Sequence, residues 1–209
     1  MVTCIAIVGI DGSGKTTQAV RLTSTLNEAG RPARYGPNPG GRRWLSRAAQ
    51  RFGREDAADW LGRRGMLMAE SLLRWLAIAR SLTIAALTRK TAIMDRYAVC
   101  QSVSLRVHGG GPWLTKVVNA AYRVFPAPDV LVLLDIPPAV AFDRIERRGT
   151  DHEELAFLAS ASDAYQELAA TAIHVDASGS PDEVAQAVWN AVCESDRVRS
   201  DRGKDNKGA

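Results

Sequence analysis

Cysteine is scarce in this chain, with three residues in 209, at Cys4, Cys100 and Cys193, and no C-x-x-C pair. So few scattered thiols argue against a disulfide framework or a zinc–thiolate site and for a reducing compartment. Histidine is equally thin, and His108, His152 and His174 are spread too widely for a zinc centre. The first apolar run begins almost at Met1, without a basic region or a cleavage site, so no secretory signal is expected. An uninterrupted apolar stretch of membrane length is also missing. Met66 to Leu87 comes nearest, but Glu70, Arg74 and Arg80 break it, and it reads as a long buried or interfacial helix. Together these absences predict a cytoplasmic protein with no membrane partner.

Aromatic residues make up 6% of the chain, and no stripe interleaves them with basic residues as single-strand readers require. The net charge of +4 is therefore weak support for a nucleic-acid partner. Much of it sits in the tail after Glu194, where Arg197, Arg199, Arg202, Lys204 and Lys207 outnumber Asp196, Asp201 and Asp205. That tail has no apolar periodicity, so residues 195–209 are expected to be a basic, disordered extension. The remaining basic clusters, Arg42 to Arg54 and Arg144 to Arg148, suit a protein that handles phosphates.

What the sequence does have is Gly9-Ile10-Asp11-Gly12-Ser13-Gly14-Lys15-Thr16-Thr17, which fits the phosphate-loop pattern G-x-x-x-x-G-K-[ST]. The apolar run Cys4 to Val8 before it reads as a buried strand and the amphipathic Gln18 to Ala29 after it as a helix, the context the motif needs. Glycines let several N–H groups converge on one anion, and the helix N-terminus adds partial positive charge. Gly12, Ser13, Gly14 and Thr17 are thus candidate phosphate cradle residues. Lys15 is placed on the outer phosphates of a nucleoside triphosphate, and Thr16 on Mg²⁺.

Apolar runs alternate with helical patterns along the chain, which predicts a P-loop NTPase-type α/β fold: a doubly wound, five-stranded parallel sheet with helices on both faces. Strands are expected near Cys4 to Val8, Ala33 to Gly36, Thr91 to Asp95, Val130 to Ile136 and Ala172 to Asp176. Helices are expected near Lys15 to Ala29, Arg42 to Phe52, Ala57 to Thr88, Pro112 to Val124, Pro138 to Arg147, Glu153 to Ala170 and Pro181 to Cys193. One domain over residues 1–194 follows, since a chain of this size hides roughly 70% of its unfolded surface. His174 lies within an apolar strand and is expected to be a hydrogen-bonded core residue, and Trp60, Trp75, Trp113 and Trp189 are expected to pack.

The third strand closes on Asp95-Arg96-Tyr97. An aspartate at the carboxyl end of a strand beside a phosphate loop can hold the hydration shell of Mg²⁺, and the adjacent arginine can grip a phosphate with its planar fork.

With these two sites in place, the chain resembles the thymidylate kinase family. The loop through Gln18, Asp95-Arg96-Tyr97, Leu133-Leu134-Asp135-Ile136-Pro137-Pro138 with Arg144 and Arg148 beyond it, Ala164-Tyr165-Gln166-Glu167-Leu168-Ala169 and Val175-Asp176-Ala177 match its motifs in order over roughly residues 3 to 194. The resemblance implies transfer of the ATP γ-phosphoryl group to a nucleoside monophosphate by a homodimer. It puts Lys15, Asp95, Arg96 and Arg148 in catalysis and Arg144 against the adenine. Asp11, Arg96 and Tyr97 fall on the acceptor side, and Arg74 falls on the family's base-contacting arginine.

The departures gather in the acceptor half. Glu70 stands where the family has a stacking phenylalanine, and a carboxylate cannot offer an apolar face to a base. Cys100 and Val103-Ser104-Leu105 replace a serine and Ala-Tyr-Gln, while Pro37-Asn38-Pro39-Gly40-Gly41 keeps Pro-Gly-Gly but loses the preceding charged pair. The resemblance also implies a short lid at about 147–154, and here Gly149-Thr150-Asp151-His152-Glu153-Glu154 is acidic, leaving Arg147 and Arg148 for its charge. Two readings of Glu70 follow: a hydrogen-bonding partner for an acceptor other than dTMP, or a solvated helix residue with no such role. A second activity also stays open, a small-molecule or nucleoside kinase that phosphorylates a hydroxyl with Glu70 or Asp95 as base. A guanine-reading Asn-Lys-x-Asp is absent, which argues against a nucleotide switch.

Overall fold

The computed structural model describes residues 3–38, 57–149 and 153–205. Five strands, β1 (Cys4–Val8), β2 (Ala33–Gly36), β3 (Thr91–Met94), β4 (Val130–Asp135) and β5 (Ile173–Asp176), form one parallel sheet in the order β2-β3-β1-β4-β5. Among the described residues seven helices surround it: α1 (Lys15–Glu28), α2 (Ala57–Thr88), α3 (Ala98–Val107), α4 (Gly111–Tyr122), α5 (Pro138–Arg148), α6 (Leu155–Leu168) and α7 (Pro181–Asp205). α2 is interrupted at Gly62, whose φ of 66° is not helical.

β1 takes the centre because all five of its residues, Cys-Ile-Ala-Ile-Val, tolerate burial on both faces. Its side chains alternate between two apolar clusters. Ile5 and Ile7 join Leu22 and Leu26 of α1, Ile145 of α5, Leu158 of α6 and Val188 of α7. Cys4 and Ala6 join Leu67 and Ile78 of α2, Leu105 of α3 and Leu114 and Val118 of α4. Each large apolar side chain so buried contributes about 1.5–3 kcal/mol. Parallel register sets Ala6 beside Met94 and Ala6 beside Leu131, so the carboxyl ends of β1, β3 and β4 open at one edge of the sheet.

Several expectations need correction. α3 falls where no helix was expected, although Cys100, Val103, Ser104 and Val107 stand at helical spacing. α7 continues to Asp205, into the segment read as a tail. His174 is not a core residue: β5 is the edge strand, only Val175 of it is buried, and the His174 side chain is 40% exposed beside Asp135. Trp113 does not pack, being 68% exposed at the start of α4, whereas Trp75 donates to the Ala121 carbonyl at 3.0 Å and meets the Phe125 ring. The helix expected over Arg42 to Phe52, the Trp60 side chain and the lid tip 150–152 lie outside the described residues.

The segment Gly65–Thr88 of α2 is long and apolar enough, by length and composition, to cross a membrane. One of its faces is already used, with Leu67, Ile78 and Ala85 buried against the sheet. The opposite face leaves Met68, Leu72 and Leu76 at 49%, 59% and 49% exposure.

Candidate active site

The loop between β1 and α1 is shaped by glycines that admit no side chain. At Gly9, with φ of 146°, a Cβ would lie 2.6 Å from the Leu134 carbonyl oxygen; at Gly12, with φ of 84°, it would lie 2.5 Å from that of Ala141. The loop is therefore pressed against β4 and α5. α1 opens without a side-chain cap and without an acidic residue in its first turn, so its amides are left for an external anion. The Ser13 hydroxyl, buried in the loop, also has no hydrogen-bond partner among the described residues. Orphaned donors around a helix N-terminus fit a phosphate chain.

Charges meet at Asp11. Its Oδ1 accepts from Lys15 Nζ at 3.1 Å and from Arg96 Nη2 at 2.7 Å, while Lys15 also donates to the Ile10 carbonyl at 2.7 Å. Burial alone would raise the Asp11 carboxyl, but Lys15 and Arg96 outweigh it and hold it well below the usual carboxylate range. Burial pulls the Lys15 ammonium down, with Asp11 resisting. Burial would also lower Arg96, yet Asp11 more than compensates and keeps the guanidinium charged.

Behind the loop lies an oxygen-rich corner. Asp95 Oδ2 accepts from Thr16 Oγ1 at 2.6 Å and from the Tyr35 hydroxyl at 2.7 Å, and Oδ1 accepts from the Asn38 amide at 3.2 Å. β3 ends at Met94, so Asp95 is the first residue past the strand and reaches toward α1. A hydroxyl and a carboxylate are too few to cage a metal, and no cluster of three or more His, Cys, Asp or Glu occurs among the described residues. That donor set suits Mg²⁺, which keeps waters and takes its other oxygens from phosphates.

A cleft of about 780 Å³ opens from the loop. Gly9 to Gly12, Gly14 to Thr17 and Arg96 form its floor, and Arg144, Arg148 and Glu153 one rim. Arg144 donates to the carbonyls of Ala177, Ser178 and Gly179, which fixes it against the loop between β5 and α7. Across the cleft stand Glu70 and Arg74 of α2. Glu70 is 2% exposed and ion-paired with Arg74 one turn on, so the solvated reading of Glu70 is overturned. Arg74 is buried too, and its Nε and Nη1 have no hydrogen-bond partner among the described residues. The helix beneath them is braced by Gln101 Nε2 on Ser71 Oγ at 2.7 Å and by the Tyr122 hydroxyl on the Ser71 carbonyl at 2.6 Å.

Sequence reasoning put Val103 and Ser104 in the acceptor half but missed Val107, His108 and the facing side of α6. Val103, Ser104, Val107 and His108 of α3 and its cap face Phe157, Leu158, Ala161 and Tyr165 of α6 around the cleft. Helical spacing on both segments was the available signal. Burial, with the Cys100 thiol beside it, pushes the Tyr165 phenol well up. Cys100 lines the cleft beside Arg96, whereas Tyr97 does not: its hydroxyl donates to the Pro126 carbonyl at 2.7 Å, and its ring belongs to the cluster on the far face of the sheet. The residue after Arg96 necessarily turns the other way as the chain enters α3.

A loop that needs an anion, a buried lysine beside it and an arginine in the same cleft are the parts a P-loop phosphotransferase requires. Comparison with known proteins narrows the class. The thymidylate kinase family model matches residues 7–188. Over 214 aligned positions the chain is 30% identical to a thymidylate kinase of Solidesulfovibrio magneticus, covering 90% of this chain and 97% of that one. A probable thymidylate kinase of Archaeoglobus fulgidus is 28% identical over 195 positions, 90% of this chain and 93% of that one. A thymidylate kinase of Xanthomonas euvesicatoria pv. vesicatoria is 35% identical over 150 positions, 69% of this chain and 61% of that one. The chain belongs to the thymidylate kinase family and is a phosphotransferase of the nucleoside monophosphate kinase class.

Proposed function

We propose that this chain transfers the γ-phosphoryl group of ATP to the phosphate of a nucleoside monophosphate other than dTMP, one that offers a hydrogen-bond donor to Glu70. The observation that carries the reading is the buried Glu70–Arg74 pair in the cleft wall. A thymine ring needs an apolar face to stack on, and a charged pair gives it none. An acceptor with an amino or hydroxyl group set against the part of the cleft wall that Glu70 and Arg74 line would suit that carboxylate.

In this reading an acceptor phosphate oxygen bonds to the γ-phosphorus as the bridging oxygen of ADP leaves. Lys15 and the loop amides offset the charge on the donor phosphates, and Arg96, aimed by Asp11, holds the acceptor phosphate in line. Thr16 and Asp95 would hold Mg²⁺, which neutralises developing charge on the phosphates. Arg144 would lie against the adenine ring, and Arg148 would serve a lid whose closure would exclude water. A phosphate acceptor needs no strong base. That agrees with Asp95, whose carboxylate already accepts three hydrogen bonds and so is poorly placed to take a proton from a hydroxyl.

The exposed Met68, Leu72 and Leu76 stripe on α2 is the surface we assign to a homodimer contact, in keeping with a cytoplasmic enzyme. The test of the activity is ADP release from Mg·ATP with dTMP, dUMP, dCMP, CMP, UMP, AMP and GMP, with the matching nucleosides as controls. Turnover of a monophosphate other than dTMP is expected. Preferred dTMP turnover would overturn the specificity, and turnover of a nucleoside in place of any monophosphate would favour the hydroxyl kinase.

A further inference from the structure

Asp95 is gripped by a residue that the phosphate loop does not supply. Tyr35 stands on β2, paired in register with Ile93, so its hydroxyl arrives beside the carboxylate just past the end of β3. It shares Oδ2 with Thr16, at 2.7 Å and 2.6 Å, while the Asn38 amide takes Oδ1. A carboxylate offers about four lone-pair sites. Among the described residues three are filled by neutral donors, which leaves one on Oδ1 for a water carried by the metal.

We propose that Tyr35 is a positioning residue for the metal-bearing corner: its hydroxyl locks the Asp95 carboxylate in the rotamer that keeps Oδ2 on Thr16 and the last Oδ1 lone pair open. The assignment rests on the phosphoryl-transfer reading. Without Tyr35 the carboxylate would keep one bond on each oxygen, from Thr16 at 2.6 Å and from the Asn38 amide at a long 3.2 Å, so its plane would be restrained weakly on one side. The Tyr35 hydroxyl adds a second short bond to Oδ2, at 2.7 Å from β2, and stiffens that plane against rotation about χ2. Mg²⁺ is exacting about geometry, so a carboxylate already held in place costs less to bind through than one that must first be ordered. Tyr35 is partly buried against the apolar cluster that includes Val8 and Ile93, so the phenol itself is anchored.

The experiment is a titration of a fluorescent ATP analogue in EDTA and at rising Mg²⁺, for the unsubstituted chain, Tyr35→Phe, Asp95→Asn and the double variant. Tyr35→Phe should raise the half-saturating Mg²⁺ roughly three- to tenfold, the scale of an ordinary net intramolecular hydrogen bond because the effect on the metal is indirect, and leave affinity in EDTA within about twofold. In the Asp95→Asn background the same substitution should shift Mg²⁺ dependence by less than about 1.5-fold, since its target is altered. Tyr35→Leu, which also lacks the hydroxyl, should reproduce the Mg²⁺ shift if Tyr35→Phe fails to fold. An unmoved Mg²⁺ titration, or an equal shift in both backgrounds, overturns the role of Tyr35 and leaves the phosphotransferase reading standing. Failure of the unsubstituted chain to bind the analogue at all would overturn both.

Discussion

Arg96 donates to the Asp11 carboxylate across 2.7 Å, tying the end of β3 to the phosphate loop after β1. Because Lys15 uses the same oxygen, one anion sets the distance between two cations that must serve different phosphates. Their mutual repulsion, large in a buried site, is held in check by Asp11 alone among the described residues, and the arrangement is poised for anionic ligands.

Asp11→Asn should therefore lower stability at neutral pH by about 1–3 kcal/mol, the scale of an unbalanced charge at a partly open site. The Asp11 carboxyl lies below its ordinary value of 3.8 in the folded chain, so the stability it adds is present above that value and is lost as pH falls below it. Urea denaturation from pH 7 to pH 3 should show a drop at the acid end that is smaller in Asp11→Asn. Parallel curves would remove the linkage.

Arg96→Ala should cut turnover by roughly 10²-fold or more, in the range of lost transition-state electrostatics, and leave ATP affinity within about twofold. Steady-state kinetics beside a nucleotide-binding titration separates the two. Equal loss of both would take Arg96 out of the acceptor role.

Glu70→Ala strands the buried Arg74 charge and should cost about 3–5 kcal/mol, measured as a fall in denaturation midpoint. Glu70→Phe restores an apolar face and should gain dTMP turnover at the expense of the native acceptor. A Phe variant with no gain on dTMP counts against the specificity assigned to Glu70.

Gly12→Ala forces a Cβ to within 2.5 Å of the Ala141 carbonyl oxygen at a φ of 84°. Nucleotide affinity should fall by at least about tenfold, with a loss of stability of roughly 1–3 kcal/mol from backbone strain. Wild-type affinity in this variant would mean the loop is not pressed on α5 when nucleotide binds.

Replacing both Leu72 and Leu76 by Lys should yield a monomer in sedimentation analysis, because two charges on a stripe that exposes 59% and 49% of those side chains would have to be buried together. An unaltered mass would place any self-association elsewhere.

Much of this was legible in the sequence because the signals are local. The phosphate loop is fixed by glycine spacing and its flanking strand and helix, and the apolar runs of β1 and β4 declare buried parallel strands. α3 was missed because the polar Gln101, Ser102, Ser104 and Arg106 dilute its helical period, and packing against α6 decides it instead. Glu70 could be placed on a helix but not given a burial state, since only the ion pair with Arg74 makes its burial tolerable. Tyr35 gave no signal at all: its role depends on a strand pairing that brings residue 35 to residue 95. Tyr97 misled for the opposite reason, being adjacent in sequence to Arg96 but turned to the other face of the sheet.

The pairing of Ala6 with Met94 has a practical consequence. A slip of one residue between β1 and β3 would send Asp95 to the opposite face from Thr16, as every side chain in a slipped strand changes sides. Misregistered molecules would be silent and not merely slow. Catalytic titre, compared with protein mass, would then count the correctly threaded fraction of any preparation, which makes turnover the natural quality gauge when variants of this enzyme are purified.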